Sequence, residues 1–403
     1  MLFCRVDWQG LRDEGLCSDN WLFISRPWTL NTQPSPMLIW LLNHFEPLRR
    51  QFQILSSGDS HVALTARIAL ASVMSFLLAL ALGPIVIKWL KSRFQEKIVS
   101  ASEKLNELHA EKQSTPTMGG LFVSVSIVLA ALICGDLSSP YTLCGIGVVT
   151  AFCSLGAWDD WIKLSTDRNG LSVKQKFAVQ LLLGLFFATA MYFTLRDRPD
   201  GLSIVFPIGG ASWYLGSGLI AWAVIVLVGS SNGVNLTDGL DGLASGCMIF
   251  AGGAFTALTY LAGHKEMADY LAIPYIAGCG ELSVVMGAMV GAMLGFLWFN
   301  CYPAQVFMGD AGSLPMGALL GLGALACRQE ILLVLVGGVF VIETLSVIAQ
   351  VGWFKMTGSR LIACSPLHNH YLFKGHHEIK IVVRFWIGSA LLALVAVASL
   401  KIR

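Results

Sequence analysis

Ser230-Ser231-Asn232-Gly233-Val234-Asn235-Leu236-Thr237-Asp238-Gly239-Leu240-Asp241-Gly242 gathers two carboxylates, two carboxamides, hydroxyl groups and three glycines into one short stretch. Apolar sequence flanks it, Ala221 to Val228 before and Leu243 to Leu261 after. In a membrane such a cluster is costly unless it faces water, a metal or a polar substrate. The glycines let backbone approach a ligand closely. Asp238 and Asp241 are three apart, so a helical start would put them on one face. The same composition would also serve a solvated turn between two helices.

Composition identifies the solvent. The chain is 55% hydrophobic and 13% charged, against roughly 25% charged for a soluble domain. Runs of about twenty apolar residues recur from His61 onward, each long enough to cross ~30 Å of hydrocarbon. The expected fold is therefore all-α, a polytopic membrane protein with about ten transmembrane helices. The ten cysteines show no Cys-x-x-Cys pair and lie mostly in apolar runs, so they read as small buried hydrophobes. Residues 1–36 mix charges with aromatics and lack the uninterrupted apolar run of a signal peptide. They read as an extension outside a single integral-membrane domain of residues 37–403.

The predicted spans are 62–90, 118–135, 141–157, 177–195, 213–230, 240–262, 283–300, 312–327, 330–354 and 382–400. Loops after odd-numbered helices hold Lys88, Lys91, Arg93, Lys97, Lys104 and Lys112, then Lys163, Arg168, Lys174 and Lys176, then Lys355, Arg360, Lys374, Lys380 and Arg384. The alternate loops hold only Arg196, Arg198, Lys265 and Arg328. This positive-inside bias predicts that the loops after odd-numbered helices are cytoplasmic. Asp159, Asp160, Asp238, Asp241, Asn300, Asp310, His368 and His370 then all fall at that face. Separated carboxylates converging on one membrane face suit a metal-dependent phosphoryl-transfer site. Mg²⁺ takes oxygen ligands and commonly bridges carboxylates to substrate phosphates, and lysines serve the phosphates as point charges.

Five ordered motifs carry a family resemblance: Thr115-Pro116-Thr117-Met118-Gly119-Gly120, Trp158-Asp159-Asp160, Asn232 through Gly242, Gly295-Phe296-Leu297-Trp298-Phe299-Asn300, and Pro303-Ala304-Gln305-Val306-Phe307-Met308-Gly309-Asp310. From about Met37 to Arg403 the chain resembles the phospho-N-acetylmuramoyl-pentapeptide transferases, within the polyprenyl-phosphate N-acetylhexosamine-1-phosphate transferase superfamily. The resemblance implies ten transmembrane helices in the bacterial cytoplasmic membrane, an active site on the cytoplasmic face, Mg²⁺ dependence and a homodimer. It implies transfer of phospho-MurNAc-pentapeptide from UDP-MurNAc-pentapeptide to undecaprenyl phosphate, a membrane lipid, giving lipid I and UMP. No nucleic-acid partner is expected.

By the same resemblance Asp310, with Asp160 and Asn235, is expected to hold Mg²⁺; an Asp capping the next helix is the plainer alternative. Asp159 is the candidate for assisting the incoming lipid phosphate, and His368 joins the catalytic set. Asn235, Asp238 and Asp241 match nucleoside and pyrophosphate contacts, with Leu236 and Gly239 near the uridine and Phe307 stacking on uracil. Intramembrane packing is the default for any such Phe. Thr117, Asn232, Lys112, Lys163 and Lys176 are further expected substrate contacts, although cytoplasmic lysines are abundant for topological reasons alone. Asn300, Gln350 and His370 complete the set, and Glu343 is an intramembrane acid without an assigned role. The family usually has three consecutive histidines where this chain reads His368-Asn369-His370. Asn369 keeps a donor and an acceptor but loses the titratable ring.

Two other functions fit parts of the pattern. A sibling transferase acting on UDP-GlcNAc would share the acidic motifs. An ion-coupled transporter would also carry intramembrane carboxylates, but with internal repeats and a site near mid-membrane.

Overall fold

The computed structural model describes Met37 and residues 60–93, 115–166, 170–207 and 211–401. The extension at 1–36, the loop around Lys112 and Lys112 itself lie outside the described residues. The helices are α1 (Ser60–Arg93), α2 (Gly120–Cys134), α3 (Pro140–Ser165), α4 (Val173–Leu195), α5 (Leu219–Thr237), α6 (Leu243–Ala262), the short α7 (Lys265–Leu271), α8 (Leu282–Asn300), α9 (Asp310–Ala326), α10 (Glu330–Val336), α11 (Gly338–Thr357), α12 (Leu367–Phe373) and α13 (Glu378–Ser399). A two-stranded antiparallel hairpin, β1 (Ser203–Val205) and β2 (Ser212–Tyr214), joins α4 to α5 with Ser203 opposite Tyr214. Among the described residues eight helices are long and apolar enough to span a membrane; α2 and α9 are apolar but shorter. The protein is an all-α polytopic membrane protein.

Every predicted span has a helical counterpart, with three corrections. The third span ends eight residues later than predicted, because α3 continues through Ser165 and carries Asp159 and Asp160 within it. The ninth breaks in two at Gly337, between α10 and α11. The Gly337-Gly338 pair permits the break, and a Cβ on Gly338 would meet Leu392 Cδ1 at 2.7 Å, so α13 packs closely on the start of α11. The fifth span ends seven residues later than predicted, because α5 continues through Thr237. Asn232 and Asn235 therefore sit on the last turns of a helix, and the turn itself is only Asp238 to Gly242. Asp238 and Asp241 lie in that turn rather than on one helical face. Gly242, at φ 79°, occupies the left-handed conformation that starts α6.

Every residue of α9 is buried. At 17 residues it rises only ~26 Å, short of the ~30 Å hydrocarbon core. The shortfall is tolerable because protein, and not lipid, surrounds it. Lipid tails are as apolar as leucine, so helices here associate through close packing of small residues. Gly120 of α2 lies against the backbone of Gly312, and Gly156 of α3 against the carbonyl of Asp310, with no room for a Cβ at either. On α8, Gly287, Gly291 and Gly295 recur every fourth residue and receive Ile68, Ser72 and Ala79 of α1. Ser75 Oγ donates across that seam to Ala288 O at 2.7 Å. In contrast, α11 buries only Gly338, Val339, Phe340 and Glu343, and exposes Leu345, Ile348, Val351 and Phe354. The eight described cysteines are free thiols, as expected for packing residues.

Arg328, fully buried at the end of α9, ties the hairpin to α10. Its Nε and Nη2 donate to Ser203 O at 3.1 and 2.6 Å, and Nη1 lies 2.6 Å from Glu330 Oε1. Removing one partner of a buried pair leaves an uncompensated charge. Arg328→Met is expected to lower stability by about 3–5 kcal/mol, and the double change Arg328→Met with Glu330→Met to recover much of that. Thermal unfolding of the purified protein in detergent checks both.

Candidate active site

Two short backbone segments bring the distant motifs together. Phe307 N donates to Pro116 O (2.8 Å), Gly119 N to Phe307 O (2.8 Å) and Gly120 N to Met308 O (2.9 Å). This ladder places the Thr-Pro-Thr segment beside the entrance to α9. Gly309 then turns with φ 69°, and a Cβ there would meet Asp160 Oδ2 at 2.6 Å and Thr117 Oγ1 at 2.8 Å. Glycine is required on both counts. The next residue, Asp310, begins α9.

Asp310 meets the end of α3. One ligand oxygen from each of Asp159, Asp160 and Asp310 lies within 4.8 Å of the others, and all three residues are buried. Two lysines hold them together. Lys163 Nζ, one helical turn beyond the α3 pair, lies 2.8 Å from Asp159 Oδ2, 3.3 Å from Asp160 Oδ1 and 2.8 Å from Asp310 Oδ2. Lys176 Nζ of α4 lies 2.5 Å from Asp310 Oδ2 and 3.6 Å from Asp159 Oδ2. Leu171 N donates to Asp159 Oδ1 at 2.8 Å, and Ala311 N, from the first turn of α9, to Asp160 Oδ2 at 3.0 Å. Asn235 Nδ2 donates to Asp310 Oδ1 (2.5 Å) and Ser313 Oγ (2.8 Å).

Half-buried Asp238 borders the same cluster and accepts from Gly309 N. Burial, followed by the negative charges of Asp310, Asp160 and Asp241, pushes its pKa up to about 8. The donor set fits a hard divalent cation: three carboxylates and a carboxamide, with neither thiolate nor imidazole among them. Three acids against two ammoniums also leave an excess of negative charge for a cation to offset.

A scan against family models matches residues 142–328 to glycosyl transferase family 4. Curated relatives named phospho-N-acetylmuramoyl-pentapeptide-transferase are 44% identical over 346 residues (Oleidesulfovibrio alaskensis) and 46% identical over 343 residues (Nitratidesulfovibrio vulgaris, strains DP4 and Hildenborough). Each alignment covers 84% of this chain and 94% of the relative. The chain belongs to the phospho-N-acetylmuramoyl-pentapeptide-transferase family.

The expected site residues of this family separate into three groups in the structure. Asp159, Asp160, Asp310, Lys163, Lys176 and Asn235 form the cluster, with Thr117 and Asp238 at its edge. A second group secures the loops. Asp241 accepts from Ala304 N at 3.0 Å. Asn300 accepts from Gly242 N (3.1 Å) and Ser245 Oγ (3.0 Å), and donates to Val306 O (2.9 Å). Phe307 shares in the ladder through its backbone, and its half-buried ring has no aromatic stacking partner among the described residues. A third group engages elsewhere: Asn232 with Gln180 Oε1 (2.9 Å), Gln350 with Leu361 N and Ile362 N (3.1 and 2.9 Å), and His370 with Ala363 N (3.2 Å). Leu236 is half-buried on α5.

His368 fills the space left by the absent side chain of Gly239, where a Cβ would overlap its Nε2. Glu343, fully buried on α11, accepts from His368 N (3.1 Å) and lies 3.3 Å from His368 Nδ1. This contact gives Glu343 the partner that sequence reading left unassigned. An acid inside an apolar span was the available signal. Gly156 was missed because nothing in sequence says that its missing Cβ admits Asp310.

Two variants probe these placements. Gly156→Ala should push α3 off the start of α9 and displace Asp310; a shift of ~1 Å can lower turnover by about 10²-fold, and the overpacking should cost about 1–3 kcal/mol of stability. Glu343→Ala should leave the buried His368 N–H unpaired, a loss of about 1–3 kcal/mol. Glu343→Gln, which keeps an acceptor oxygen, should recover most of it in the same unfolding assay.

Proposed function

We propose that this chain transfers phospho-MurNAc-pentapeptide from UDP-MurNAc-pentapeptide to undecaprenyl phosphate, releasing UMP and forming lipid I for peptidoglycan synthesis. The observation that carries the reading is the convergence of Asp159, Asp160 and Asp310 around Lys163 and Lys176. An apolar cleft of about 250 Å³ between α5 and α11 supports it. Trp222, Val226, Phe340 and Leu345 line the cleft, which reaches Gly233, two residues before Asn235. A prenyl chain could lie there without leaving lipid while its phosphate approaches the cluster. The excess of basic residues in alternate loops supports a site at the cytoplasmic face of the bacterial inner membrane. A homodimer is the assembly the family resemblance implies.

Asp310 and Asp160, with Asn235 beside them, would hold Mg²⁺, and Asp159 is close enough to share it. Bound there, the ion supplies neutralisation of the pyrophosphate and of the charge that develops on departing UMP. Lys163 and Lys176, which now contact the acids, are placed to turn their ammoniums toward phosphate oxygens. Asp159, held by Leu171 N, orients the incoming lipid phosphate. That phosphate, with a second pKa near ~6, is already largely ionised at neutral pH, so little proton abstraction is required. Its oxygen forms a bond to the sugar-linked phosphorus as the bond to UMP breaks. Phe307, Leu236 and Gly239 would face the uridine, and His368 would approach the substrate over Gly239.

Release of UMP by the purified protein from UDP-MurNAc-pentapeptide and undecaprenyl phosphate tests the reading. Chelation with EDTA should stop it and Mg²⁺ restore it. Asp310→Asn, which keeps the shape and removes the charge, should lower turnover by about 10²–10³-fold, the scale for one preorganised electrostatic contact. Equal turnover of UDP-GlcNAc, or turnover indifferent to EDTA, would overturn it.

A further inference from the structure

A second cleft, of about 290 Å³, lies between α11, α12 and α13. Its two ends differ in chemistry. Lys380 and Arg384 of α13 and His376 line one end, and Val339, Ile342 and Leu392 the other. Twelve residues of α13 separate Lys380 from Leu392, a rise of ~18 Å, so the cleft runs along the helix. Its apolar end is closed where Leu392 meets Gly338. On α11 the residues concerned, Val339 and Ile342, occupy the side of the helix away from Val341 and Thr344, which line the cleft against α5. The two clefts are therefore separate.

The basic end lacks a counter-charge among the described residues. Lys380 and Arg384 are exposed, four residues apart on one helical face, and neither makes an ion pair or side-chain hydrogen bond among the described residues. Like charges at this spacing repel. The acids on the surrounding helices point inward: Glu343 to His368 and Glu378 to the backbone of Asp241. Two unpaired cations above an apolar channel between membrane helices form a receptor for a phosphate carried on a hydrocarbon chain.

We propose that this cleft binds an anionic glycerophospholipid, its phosphate between Lys380, Arg384 and His376 and one acyl chain along Val339, Ile342 and Leu392. Leu367 and Tyr371 of α12 also line the cleft, so the lipid braces the helix that carries His368.

Native mass spectrometry of the full chain, released from nanodiscs of phosphatidylglycerol or of phosphatidylcholine, tests the assignment. The wild type should retain phosphatidylglycerol and lose phosphatidylcholine. Lys380→Gln with Arg384→Gln should weaken phosphatidylglycerol retention by about thirtyfold, the factor for two interfacial cations. Leu392→Trp, which fills the apolar end and keeps both cations, should also expel the lipid; circular dichroism and thermal unfolding verify that each variant is folded. Equal retention of the two lipids, or retention unchanged in both folded variants, would overturn the proposal. So would stoichiometric displacement of phosphatidylglycerol by undecaprenyl phosphate, which would make the cleft the acceptor's own site.

Discussion

Three carboxylates with oxygens within 4.8 Å repel one another, and the surroundings of Asp159, Asp160 and Asp310 hold them together against that force. Lys163 reaches all three, Lys176 reaches two, and backbone N–H groups from Leu171 and Ala311 take up remaining lone pairs. Charge-assisted hydrogen bonds of this kind are roughly twice as strong as neutral ones. The compensation is incomplete in charge, and this makes the site receptive to a cation. The same lysines that steady the acids lie where phosphate oxygens would be met.

That electrostatic arrangement depends on close packing some distance from any charge. Asp310 reaches Asp160 because Gly156 lets α3 lie directly on the start of α9, and because Gly120 and Gly312 bring α2 equally near. A buried helix of 17 residues, too short to cross a bilayer in contact with lipid, is workable only inside such a jacket. Small residues on α8 and α9 thus do for the site what large apolar residues do for a soluble core: they set distances. The loops beyond the helix ends are fixed by polar side chains. Asn300 holds Gly242, Ser245 and Val306 together, and Asp241 holds Ala304.

Outside the cluster, Glu343 and His368 form a second buried polar pair, between α11 and α12. α11 buries few of its own side chains, and its attachment there depends on Glu343 and the first turn of α12. A lipid in the cleft beside α13 would act on that same attachment from the outer side.

The apolar runs determined the helices, because backbone polar groups in lipid must be satisfied within each segment and a helix does so locally. Asp-Asp followed by Lys163 placed three charges on one end of α3, a fact of helical spacing alone. Sequence also determined that acids from separate motifs belong together, through the resemblance of those motifs to a known family. It did not contain the break at Gly337, the extension of α5 through Asn235, or the pairing of Glu343 with His368. Each of these is decided by what a neighbouring helix leaves room for, and that depends on residues far along the chain: Leu392 for Gly338, Asp310 for Asn235 and His368 for Glu343. Which carboxamides face the acids and which tie down a loop was likewise a tertiary matter: Asn232 and Asn235, one turn apart on α5, look out on Gln180 and Asp310 respectively because different helices pack against each side.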